Sequence, residues 1–186
     1  GNVGLIAVGG ISQSASGNIM TADGDVLIDA GGNWAMDGTS LISFGGGELV
    51  GNSGGDLTLG VIHGTSATAN GLAMSASGSI LDGNGGSANL VETVSSATTA
   101  LSLRAGTGSI GRADTANAQA DVNAQALDLN VDTVAASSAE GIYLREMSAG
   151  GSISVGLVGA VNVDIQVVEA NFNSTNSALS HSRTLQ

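Results

Sequence analysis

The chain contains no cysteine, no proline and no lysine. Without cysteine there is no disulfide and no thiolate metal site. Without proline, and without a G-X-Y period, its glycine-rich stretches are neither collagen nor a proline-stiffened linker. Aromatics are almost missing: one Trp, one Tyr and two Phe in 186 residues. Large rings usually dominate the burial in a globular core. Here the 42% hydrophobic content rests mainly on Ala, Val, Leu and Ile, which suits thin aliphatic layers better than a rounded core.

Basic charge is scarce too. Four Arg stand against 16 acids, a net charge of −12. Nucleic-acid binding needs a basic stripe that releases counterions, so no nucleic-acid partner is expected. An anionic membrane surface would repel the chain. No stretch approaches the length of a membrane-spanning helix, and membrane insertion is not expected. The acids read as a solvated exterior, with weak Ca2+ binding at acidic corners as the sharper alternative. The chain opens at Gly1 with neither a basic start nor an apolar signal core, as a processed piece or a segment of something longer would.

What is plentiful is glycine, 30 residues, and it is patterned. A tripeptide of Gly, a polar residue and an aliphatic one occurs at Gly17-Asn18-Ile19, Gly24-Asp25-Val26, Gly47-Glu48-Leu49, Gly55-Asp56-Leu57, Gly78-Ser79-Ile80, Gly108-Ser109-Ile110 and Gly151-Ser152-Ile153. Gly17 to Gly47 is 30 residues, Gly47 to Gly78 is 31, and Gly78 to Gly108 is 30. A second series, Gly24, Gly55 and Gly86, steps by 31 and 31. Two interleaved series with one shared interval predict a repeat of about 30 residues.

Each unit divides into three short apolar segments. The first begins at Ile11, Leu41, Leu72, Leu101 and Ile142. The second centres on Ile19, Leu49, Ile80, Ile110 and Ile153, and the third begins near Val26, Leu57, Ala88, Leu127 and Val161. Inside the segments the period is two: Leu57 and Leu59 flank Thr58, and Leu127, Leu129 and Val131 alternate with Asp128 and Asn130. That is strand alternation, one face buried and one wet. Gly, Asn, Asp and Ser fill the intervals, as tight corners require. The expected fold is all-β: a single-stranded parallel β-helix of roughly five coils over residues 1–170, about 30 residues and three short strands per coil. A lone coil buries too little to fold, so stacking on neighbouring coils is expected to stabilise it.

Two stretches break the rhythm. The second and third segments stand 7 or 8 residues apart in four units but 17 apart between Ile110 and Leu127. The extra residues, near 111–120, are expected to project as an insertion: a binding excursion, a tolerated surface excursion, or a short Ala-rich helical turn capped by Asp114. Residues 171–186, rich in Ser, Asn and Thr, read as a polar tail or a cap.

Candidate chemistry is thin. Glycoside hydrolysis wants paired carboxylates beside aromatics that hold the sugar, but the acids are spread across units and aromatics are few. Arg104, Arg112, Arg145 and Arg183 are the whole cationic supply; Arg104 and Arg145 both follow a first segment, a placement that puts them on one face or, more commonly for such residues, pairs each with an Asp or Glu. His63 falls in a corner and His181 in the tail, and there is no G-x-S-x-G elbow. Asp82-Gly83-Asn84-Gly85-Gly86 begins like a calcium loop, yet Thr93 stands where the closing Glu is needed. Asp23-Gly24-Asp25 is a bare acidic corner, and Asn173-Ser174-Thr175 is formally a glycosylation sequon. No catalytic, cofactor-binding or metal-ligating residue is assigned.

Three stretches carry a family likeness: Gly54-Gly55-Asp56-Leu57-Thr58-Leu59-Gly60, Ala105-Gly106-Thr107-Gly108-Ser109-Ile110-Gly111 and Gly150-Gly151-Ser152-Ile153-Ser154-Val155-Gly156. They resemble the repeats of the filamentous haemagglutinin family of giant secreted bacterial surface proteins. The resemblance is one of repeat style over residues 1–170 and contains no site motif. It implies a right-handed parallel β-helix, a Gram-negative cell surface, and roles in adhesion, biofilm or sheath formation. The expected function is a structural or adhesive shaft of a secreted protein, not an enzyme. The rivals are a self-assembling extracellular filament joined through β-helix ends and, behind it, a carbohydrate-active β-helix. Expected partners are neighbouring coils of a longer chain, further copies of itself, or a host-surface or matrix glycan or protein.

Overall fold

The computed structural model describes residues 1–64, 71–85, 90–92, 100–113, 125–147, 153–158, 161–162, 165–168, 178–181 and 184–185. The chain advances in circuits of three short strands. The first circuit holds β1 (Val3–Ala7), β2 (Ile11–Gln13) and β3 (Ile19–Met20). The second holds β4 (Val26–Ala30), β5 (Trp34–Met36) and β6 (Leu41–Phe44); the third, β7 (Leu49–Ser53), β8 (Leu57–Leu59) and β9 (Val61–Gly64). The fourth holds β10 (Gly71–Ala76), β11 (Ile80–Asp82) and β12 (Leu90–Glu92). Beyond it come β13 (Ala100–Ala105) and β14 (Leu127–Asn130), then β15 (Thr133–Ser137) and β16 (Leu144–Glu146), then β17 (Ser154–Val155).

Strands of like position pair side by side into three sheets. Sheet I runs β1-β4-β7-β10-β13-β15-β17, sheet II runs β2-β5-β8-β11, and sheet III runs β3-β6-β9-β12-β14-β16. Every pairing within the three sheets is parallel. Isolated parallel bridges Ile80↔Ile110 and Ile110↔Ile142 carry sheet II's column two circuits further. The described residues are thus all-β with parallel sheets, and they contain no helix.

The length of a circuit differs from the sequence expectation. Val3 pairs with Val26, Val26 with Leu49, and Leu49 with Leu72, so the advance is 23 residues (26 − 3), not about 30. Sheet I holds seven strands rather than the five implied by longer coils. The reason is that the glycine tripeptide marks the entry to a strand at every corner, not one position per circuit. Gly17 precedes β3 of sheet III, Gly47 precedes β7 of sheet I, and Gly78 and Gly108 precede Ile80 and Ile110 of sheet II. The apparent interval from Gly47 to Gly78 is one corner, Gly47 to Gly55 (8), plus one circuit, Gly55 to Gly78 (23). Within the series Gly17, Gly47, Gly78 and Gly108, only Gly78 and Gly108 are true equivalents, their backbones joined by an N–H···O bond of 3.3 Å. Their 30-residue spacing reflects a lengthened fourth circuit.

The core follows from alternation. Val26, Leu49, Leu72, Leu101 and Val134 form sheet I's inward column; Trp34, Leu57, Ile80 and Ile110 form sheet II's; Ile42, Ile62 and Leu129 belong to sheet III's. All are buried in one cluster. The lone Trp fits because a neighbour yields its side chain: a Cβ on Gly51 would stand 2.4 Å from Trp34 Cζ3.

After β17 the parallel stack stops. Val161, read from sequence as the start of another stacked segment, instead lies in β18 (Val161–Asn162), followed by β19 (Ile165–Val168), β20 (Ala178–His181) and β21 (Thr184–Leu185). These pair antiparallel, β18 with β21 and β19 with β20.

Candidate functional site

At four of the glycine tripeptides the middle residue, Asn18, Asp25, Asp56 or Ser79, is a rung. At the corner from sheet I to sheet II, Asn33 Oδ1 accepts from the Asp56 N–H at 3.0 Å and Asp56 Oδ1 accepts from the Ser79 N–H at 2.8 Å. Ser79 Oγ then accepts from the Ser109 N–H at 3.3 Å. At the corner from sheet III back to sheet I, Asn2 Oδ1 accepts from Asp25 N–H and Asp25 Oδ1 from Glu48 N–H, each at 3.0 Å. Asp23 Oδ1 accepts from Gly46 N–H at 3.3 Å, and Asn18 Oδ1 from Leu41 N–H at 3.2 Å at the remaining corner. A short side chain ending in oxygen reaches one circuit onward and pairs a backbone donor that the corner leaves outside the sheet ladder. Asp, Asn and Ser are therefore chosen for reach.

The acidic corners thus bind the protein to itself. Asp23 and Asp25 of the bare acidic corner both face backbone N–H groups. Asp82, the first residue of the calcium-loop-like run, accepts from Asn84 N–H at 2.9 Å through Oδ1 and from Gly85 N–H at 3.1 Å through Oδ2. Gly85 sits at φ +54°, the left-handed region that glycine reaches without strain, and the carboxylate closes that turn. Among the described residues no group of three or more His, Asp or Glu side chains is placed to hold a metal ion.

Arg104 and Arg145, expected on one face, are on different sheets. Arg104 is exposed on the outer side of sheet I, in register with Ser75 and Ser137. Arg145 is on sheet III, in register with Asp128 of the preceding strand. Its Nε and Nη2 donate to Asp128 Oδ1 and Oδ2, both at 2.6 Å, and the Asp128 side chain is 0% exposed. The hydrogen bond to Asp128 raises Arg145 above the ordinary guanidinium range against the opposing effect of burial, with the Asp128 and Asp82 charges reinforcing it. The pair has the fork-on-carboxylate geometry of a charge-assisted bidentate contact. Pairing of Arg145 with a carboxylate accords with the sequence reading, but Asp128 is not identifiable from it, because the 17-residue separation becomes a cross-strand pair only once the register is known.

His63 stands on strand β9, not in a corner; it is half-buried, and no hydrogen bond to its buried Nε2 is present among the described residues. His181 belongs to β20. Arg112 is exposed, and its backbone N–H donates to Gln125 O at 2.9 Å. Most of the expected 111–120 insertion, as well as Arg183, Gly86, Ala88, Thr93, Asp114 and the Asn173 sequon, lies outside the described residues.

Corner length varies unevenly. From sheet I to sheet II the chain passes from Ala7 to Ile11, Ala30 to Trp34, Ser53 to Leu57 and Ala76 to Ile80 four residues on, and from Ala105 to Ile110 and Ser137 to Ile142 five residues on. From sheet II to sheet III it passes from Leu59 to Val61 in one circuit and from Ile110 to Leu127 in another. One edge of the stack varies by a single residue, and chain length accumulates beside sheet III.

No family model, curated protein or solved structure matches the chain.

Proposed function

We propose that the three sheets are the faces of a right-handed, single-stranded parallel β-helix, and that the chain is a rigid extracellular shaft, a structural or adhesive segment of a secreted bacterial surface protein. The observation that carries this reading is the use of the polar residues. Asp25, Asp56, Asp82 and the Asp128–Arg145 pair are all engaged in holding the winding. A parallel crossover of this kind is right-handed in nearly all proteins. The repeat style shared with the filamentous haemagglutinin family supports the surface location and the adhesive role. The reading is non-catalytic and needs no cofactor.

Solution scattering and incubation with neutral and acidic polysaccharides test it together. The expected outcome is an elongating stack spaced about 4.8 Å per circuit and no cleaved product. A release of reducing ends or unsaturated sugars would overturn the non-catalytic reading. Deleting 113–124 separates shaft from adhesin: loss of binding to host matrix with the stack intact assigns adhesion to the excursion, and unchanged binding assigns it elsewhere.

A second reading, a filament or sheath subunit, draws on one further observation. The exposed large hydrophobics are Leu5, Ile6, Val8 and Met20 in the first circuit and Ile142, Met147, Val155 and Leu157 towards the other end. Strand edges flanked by apolar side chains accept further strands, from a longer chain or another copy. Sedimentation decides: a concentration-independent monomer counts against the filament.

A further inference from the structure

Leu27, Val50 and Ala73 alternate with the inward column of sheet I and so point away from the core, yet they are 1%, 0% and 0% exposed. They form a second cluster whose fourth member is Val161 of β18. β18 lies against β7 and β10, and β19 lies against β1. The chain therefore leaves the stack after β17 and returns across the outer face of sheet I to the first circuit.

We propose that this returning segment is a clasp, with Val161 as its catch and Gly71 as the notch that receives it. A Cβ on Gly71 would stand 2.8 Å from Val161 Cγ2 and 3.0 Å from Cγ1, while its next neighbour, Glu48 Oε1, is 3.4 Å away. The notch is thus specific to the valine and is not forced by the stack. In a stack each circuit touches only its neighbours, so stability is a sum of local terms and end circuits open first. The first circuit is poorly covered, with Leu5 39% and Ile6 48% exposed. A segment that meets the first, third and fourth circuits at once couples circuits that do not touch. Opening the first circuit then requires releasing the catch, and local peeling becomes a concerted event. The inference deepens the shaft reading, on which its mechanical purpose rests, because peeling from an end is how a shaft fails under load.

Hydrogen exchange on the full chain tests the clasp from both sides of the contact. Val161→Asp and Gly71→Val should each speed exchange of the β1 and β4 amides about tenfold or more, with the sheet III strand Leu127–Asn130 unchanged. The size-exchanged pair Gly71→Ala with Val161→Ala should restore slow exchange. Unchanged β1 exchange in Val161→Asp overturns the clasp. If Gly71→Val unfolds the whole stack, a chain ending at Val158 decides: β1 exchange as fast as in Val161→Asp supports the clasp, and exchange as slow as in the intact chain overturns it. Failure of the shaft reading would instead appear in the scattering of the unaltered protein, so the two failures are distinguishable.

Discussion

The second and third circuits and the fourth and fifth solve the same winding problem with different amounts of chain. Val26 to Leu49 and Leu49 to Leu72 are 23 residues each (49 − 26; 72 − 49), whereas Leu72 to Leu101 is 29 and Leu101 to Val134 is 33 (101 − 72; 134 − 101). The longer circuits keep sheet I in perfect register, six residue pairs in a row between β10 and β13. Extra length is absorbed beside sheet III, while the passage from sheet I to sheet II stays short in every circuit. The stack is therefore indexed at one edge. Where Asn33 and Asp56 tie successive corners the count is fixed; the Ser79 rung reaches a corner one residue longer, and elsewhere the count floats more widely.

The sharpest way to break that contrast is an insertion. Two residues added between Gly54 and Gly55 should cost about 1–3 kcal/mol, because they pull the Asn33–Asp56 and Asp56–Ser79 rungs out of reach. The same two residues added after Arg112, whose N–H bonds Gln125 O, should lower stability by well under about 1 kcal/mol if the added length is taken up as loop, since loop closure grows only logarithmically with length. Equal urea midpoints for the two variants would remove the distinction between indexed and floating edges.

A single ion removed from the long-circuit half comes next. Arg145→Met strands the fully buried Asp128 carboxylate and should cost about 3–5 kcal/mol, while Asp128→Leu with Arg145→Met should recover most of it. Urea denaturation of the three proteins reads this directly. In the short-circuit half the corresponding experiment is gentler. Asp56→Ala deletes one rung and should cost about 1 kcal/mol, with Asp56→Asn near neutral because the amide oxygen still accepts from Ser79 N–H. A loss equal in both variants would mean that charge, not reach, is what the corner selects.

The smallest effect concerns pH. Asp37, fully exposed, is held below its ordinary carboxylate range, first by the Thr39 N–H and then by the Thr39 hydroxyl. A pKa lowered by folding contributes stability above the unfolded value and loses it as pH falls through the folded one. The contribution is small because the turn is solvated. Asp37→Asn should shift the acid end of the melting-temperature profile slightly and leave the neutral plateau in place; an unchanged acid limb would show the turn to be energetically silent.

Much of this was legible before the structure. The alternation of Leu57-Thr58-Leu59 and of Leu127 to Val131 identifies strands, and glycine followed by a polar residue identifies corners. The winding number was not legible. One tripeptide serves all three corners, so its spacing mixes a circuit with a corner and returns 30 or 31. The true step is carried by quieter rows: Gly32, Gly55 and Gly78, or Asn33, Asp56 and Ser79. Trp34 hid strand β5, because an indole in a column of Leu and Ile does not look like their equivalent. Asp128 was misleading for the opposite reason; it alternates correctly, and nothing local says that an outward carboxylate will be sealed by an arginine from the next strand.

The fit of Trp34 beneath Gly51 carries a consequence for how such a chain can grow. The indole belongs to one circuit and the space it occupies belongs to the following one. Tandem duplication of residues 24–46 alone would set a second Ile28 where Gly51 now stands, and the ring would have nowhere to go. The heritable module is accordingly a pair of consecutive windings, copied together or not at all, even though each looks complete when read by itself.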